Sequence, residues 1–93
     1  MDWNGLPGEE LVEKGLADLG NGDETIESLL VLIGAPRLRE LGLGIPEHRT
    51  ETSPEHRLYE LLAREHGDAA HSRYNALLRR LISFERAAAC ASS

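Results

Sequence analysis

From Ser53 to Phe84 the chain carries two leucine stripes at helical spacing, separated only by Gly67 and Asp68. Leu58, Leu61 and Leu62 share one face of the first segment; Tyr74, Leu77, Leu78, Leu81 and Phe84 share one face of the second. Apolar residues recurring every three or four positions fit an α-helix, whereas a strand alternates its faces residue by residue. A connection this short makes two helices antiparallel neighbours. The spacing therefore predicts a C-terminal antiparallel αα-hairpin, with helices over about 54–66 and 69–88. Its ends are also signalled. Ser53 is an N-cap residue, Pro54 suits the first helical position, Gly67 suits the position after a helix and Asp68 the next N-cap. Centring the turn there sets Leu58 level with Leu81, Leu61 with Leu77, and Glu65 with Tyr74, whose hydroxyl is expected to reach the carboxylate.

The remainder reads as helical too. The chain has sixteen Leu but two Val, four Ile and four aromatic residues, a poor supply for strands and a good one for helices. Pro7, Glu9 and Glu10 open a helix with Val12, Leu16 and Leu19 on one face, ended by Gly20-Asn21-Gly22. Asp23 is the expected N-cap of the next, over about Glu24–Ile33, and Pro36 is expected to restart a short helix that stops at Gly42. The fold class expected is all-α: a small helical bundle of four to five short helices in one domain of 93 residues. Acidic helices over about 7–42 precede a linker at about 43–53, short of core residues; the hairpin follows, and a tail over 89–93 is expected to fray.

The four letters PEHR occur at Pro46–Arg49 and again at Pro54–Arg57. The second copy follows Ser53 and is what a helix start requires. The first follows Ile45, which cannot cap, so only a turn is expected there. Helix-entry grammar accounts for most of the repeat.

Net charge is −6, and residues 1–46 hold all of it, with nine acidic and three basic side chains; residues 47–93 carry seven of each. Such a balance disfavours nonspecific nucleic-acid binding, which rests on phosphate neutralisation. On the hairpin, Arg57, Arg64, Arg73 and Arg80 are expected along one flank. They are either a surface for an acidic partner or an edge neutralised by the acidic half of the same chain. The opposite flank is expected to carry Tyr59, His66, His71 and Asn75, with Ile82. The Glu24–Ile33 helix is apolar nearly all round, with Val31 and Leu32 off its main stripe, as in helices that are central or at an interface. Trp3, ahead of the first helix, either staples onto the domain or anchors a partner.

These features point to a small cytoplasmic, non-enzymatic protein–protein interaction module, self-associating or binding a protein partner through Val31, Leu32, Trp3 and the arginine edge. No catalytic motif, metal set or cofactor is expected: the chain has no GxSxG, no phosphate loop, and its single cysteine, Cys90, lies in the Ala/Ser-rich tail. The start has neither a basic segment nor an apolar core of a signal peptide, and the longest apolar run, Leu29–Ile33, is too short to span a membrane. Two other readings have specific residues behind them. Pro36–Arg49 loosely follows a helix-turn-helix pattern, as in a small DNA-binding regulator, with Arg37 and Arg39 as the basic residues, although the second helix is cut short at Thr50–Pro54. His66 and His71, with Asp68 between them, have the side chains for zinc binding or acid–base chemistry, but no third ligand stands at helical spacing.

Overall fold

The computed structural model describes residues 5–45 and 52–92, and every regular element in them is helical. The helices are α1 (Glu9–Asn21), α2 (Ile26–Glu40), α3 (Pro54–His66) and α4 (Ala70–Ser92), with a 3-10 turn, Gly67–Ala69, between the last two. The all-α class stands. The expected bundle of four to five short helices does not: the separate helices expected over about 24–33 and from Pro36 are one, α2, which runs through Pro36 without a break, and α4 has 23 residues.

Packing explains that correction. A proline inside a helix costs about 3 kcal/mol through its missing N–H and the clash with the preceding turn. Leu29, Leu30 and Val31 before Pro36, and Leu38 after it, are each no more than 1% exposed. Burying each such side chain contributes roughly 1.5–3 kcal/mol. One continuous helix buries all of them together, and the sum exceeds the cost of Pro36, which itself faces outward. α2 packs against α1, α3 and α4, so its lack of a polar face reflects a central position. Val31 lies in the core, not on a surface.

Helix ends follow local chemistry. Gly22, at φ 78°, closes α1: its N–H bonds to Leu19 C=O and the Asp23 N–H to Asp18 C=O. Asp23 is thereby used in stopping α1, and Thr25 is the N-cap of α2 in its place. The Thr25 hydroxyl oxygen accepts from Ser28 N–H at 3.1 Å, while Ser28 Oγ accepts from Thr25 N–H at 2.8 Å, a reciprocal capping box. Thr25 Oγ1 also donates to Asp18 at 2.6 Å, which ties the two helices together. The close of α2 repeats the pattern of α1. Gly42, at φ 98°, and Leu43 donate to the carbonyls of Arg39 and Leu38. This closure turns Leu43 back onto Leu38, the apolar contact typical of it.

The start of the expected linker is therefore core: Leu43 and Ile45 are 8% and 7% exposed, and Arg39 holds the Ile45 carbonyl at 3.2 Å. α3 begins at Pro54 with Ser53 accepting from His56 N–H, as the sequence predicts. Asp68 lies inside the 3-10 turn instead of capping α4. α4 folds back along α3 and continues as helix through the tail expected to fray, because alanine is the strongest helix former and Ala88 is fully buried. Phe84, Leu58, Leu62 and Leu81 from the hairpin meet the α2 residues in one core.

Candidate functional site

The four arginines of the hairpin divide by what they bind. Arg57, on α3, binds Glu24, just ahead of α2, at 2.6 Å and Glu60 at 3.1 Å; these acids hold its guanidinium above its ordinary pKa, Glu24 having the larger effect. Arg80, on α4, pairs with Glu10 of α1. The acidic N-terminal half thus neutralises two of the four, across sequence separations of 33 and 70 residues. Arg64 and Arg73 are exposed and make no ion pair among the described residues.

Arg73 and Arg80 rim a cleft of about 250 Å³ between α2, α3 and α4. Its floor is apolar, made by Ile26, Leu62, Ala76 and Leu77, and His66 completes the basic rim. His66 therefore belongs with the arginines and not with the opposite flank. The reason is helical geometry: Leu62 and His66 are four residues apart and stand one above the other. Two features of this cleft are absent from the sequence reading. Ile26 comes from the start of α2, a long-range neighbour that periodicity cannot supply. Ala76 is a small residue set between two arginines at i, i+3 and i+7, a signal the sequence does contain.

On the opposite flank Tyr59 and Tyr74 meet edge to face, with ring centroids 5.7 Å apart. Tyr74 consequently does not serve Glu65. That residue is exposed, needs no buried partner, and its carboxylate lies 3.7 Å from His66 Nε2. His71 Nε2 and Asn75 Nδ2 are 3.2 Å apart on the surface of α4. Among the described residues no three His, Cys, Asp or Glu side chains converge where they could hold a metal ion.

A second concavity, of about 310 Å³, lies between α2 and α4. Ile33, Pro36, Leu78 and Ile82 line it, with Gly34 and Leu81 at its base. Ile82 is 45% exposed, the highest among the large apolar residues described. Arg37 and Glu85 stand on its rim. Burial holds the Glu85 carboxyl above the usual carboxylate range, and the charge of Arg37 opposes that shift. Exposed apolar surface thus lies here, whereas Val31 is fully buried and Leu32 partly buried in the core packing. Trp3 and the first PEHR copy, at 46–49, lie outside the described residues.

Pro36–Leu41 forms the end of α2 and its cap rather than a separate first helix of a helix-turn-helix. Its two basic residues are engaged locally, Arg37 with Glu40 at 3.0 Å and Arg39 with the Ile45 carbonyl. Among the described residues no helix is long and apolar enough to cross a membrane. Compared with models of known protein families, with curated proteins and with solved structures, the chain matches none of them.

Proposed function

We propose that this chain is a cytoplasmic, non-enzymatic helical interaction module that self-associates through the α2–α4 groove. The observation that carries the reading is the exposed Ile82 beside Ile33, Pro36 and Leu78, an apolar surface left uncovered by the described residues. Arg37 and Glu85 favour a second copy as the occupant. Opposite charges on one rim are self-complementary under two-fold symmetry, so that each Arg37 meets the Glu85 of the other copy.

The test is solution mass by light scattering with reduced protein at two concentrations. The parent chain is expected to be dimeric and Ile82→Arg monomeric, with an unchanged helical spectrum because residue 82 is outside the core. A parent chain that stays monomeric at the higher concentration refutes self-association. An Ile82→Arg variant that stays dimeric refutes this surface.

A further inference from the structure

The basic-rimmed cleft lies on a different side of α4 from the α2–α4 groove and shares no lining residue with it. Arg73, Ala76, Leu77 and Arg80 stand at i, i+3, i+4 and i+7, so the backbone positions of the two arginines are about 10 Å apart along the helix axis. Between them the single methyl of Ala76 leaves a dent whose other walls are Leu77, Leu62 and Ile26. The dent is part of the cleft of about 250 Å³, with Arg73 and Arg80 on either side of it along α4. The fold already delivers one carboxylate to this row, since Glu10 of the amphipathic α1 engages Arg80. Arg73 has no such partner among the described residues.

We propose that this cleft docks an acidic amphipathic helix of a partner protein, carrying a carboxylate, a leucine-like residue and a second carboxylate at i, i+3 and i+7. That spacing reproduces the spacing of Arg73, the dent and Arg80, so three contacts form along one helix face. The leucine seats over Ala76. The carboxylates take Arg73 and Arg80 as charge-assisted hydrogen-bond partners, and the second displaces Glu10. Glu10 is therefore an intramolecular competitor for the site. The net charge of −6 opposes the approach of any acidic partner, so recognition rests on the short-range pairing with Arg73 and Arg80 and on the seated leucine.

The experiment uses the full chain and a fluorescein-labelled helical peptide with Glu, Leu and Glu at that spacing in an Ala/Gln background, followed by anisotropy. Saturable binding is expected, weakened about tenfold or more by Arg73→Gln and to a similar degree by Ala76→Leu, which fills the dent and keeps every charge. Glu10→Gln, which frees Arg80, should tighten binding several-fold, and Ile82→Arg should leave it unchanged. Ala76 is exposed, so its substitution leaves the core intact. Absence of saturable binding up to about 1 mM peptide, an affinity limit near −4 kcal/mol, overturns the proposal. So does Ala76→Leu binding as well as the parent, because charge attraction without docking would then account for any effect of Arg73.

Discussion

Alanine at Gly15 and alanine at Gly20 should move the stability of this protein in opposite directions. Both glycines lie in α1, and replacing glycine by alanine inside a helix normally gains about 0.5–1 kcal/mol. At Gly20 a methyl group would meet nothing within 4 Å. At Gly15 it would stand 2.4 Å from the Glu27 carbonyl oxygen and 2.4 Å from Val31 Cγ2. The valine methyl can shift slightly, but the oxygen belongs to the backbone of α2, so α1 must move away by about 1 Å to restore a normal contact. A gap of that size forfeits roughly a quarter to a half of the dispersion energy across the α1–α2 contact. Over-packing of this kind costs about 1–3 kcal/mol, and the rigid carbonyl puts it at the upper end. Less the helix-propensity gain, Gly15→Ala should destabilise by about 2 kcal/mol, lowering Tm by about 8–16 °C for a domain of this size. Gly20→Ala should raise Tm by about 2–8 °C. Thermal unfolding followed by far-UV circular dichroism reads both. Adding Val31→Ala to Gly15→Ala should not restore stability, since the Glu27 oxygen remains. A neutral or stabilising Gly15→Ala would mean that α1 does not approach α2 through this glycine.

The α1–α2 junction gives a pH-dependent prediction. The Lys14 ammonium, at 2.8 Å, and then the Thr25 hydroxyl hold the Asp18 carboxyl below its ordinary value of 3.8. A carboxyl whose folded pKa is depressed contributes stability that is fully present above the ordinary value and lost as pH falls through the folded one. Urea midpoints should therefore decline on acidification more steeply for the parent chain than for Asp18→Asn, and equal slopes would show that Asp18 is not ionised in this arrangement. Ser28→Ala removes one half of the capping box and should cost about 1 kcal/mol by denaturant titration, while Ser28→Thr should recover part of it. Pro36→Ala restores a donor within α2 and should stabilise the fold by about 1 kcal/mol or more; a loss of stability would mean that Pro36 sits at a break that α2 does not cross.

The sequence by itself determined the elements whose signals are local. Ser53 and Pro54 start α3, Gly22 and Gly42 end α1 and α2, and the leucine spacing around Gly67 makes the hairpin, because each signal acts over a turn or two of one helix. Tertiary structure decided what depends on distant residues. Pro36 is a helix start by local rules, yet burial of Leu29, Leu30, Val31 and Leu38 on both sides of it makes α2 continuous and central. The arginine edge looked uniform along the chain, but only the placement of α1 and the start of α2 assigns Glu24 to Arg57 and Glu10 to Arg80, and leaves Arg73 beside a dent floored by Ile26. Caps and turns differ by about 1 kcal/mol and can be read in place. Helix packing sums many burials and charge contacts between residues far apart in the chain, and that sum has no local signature.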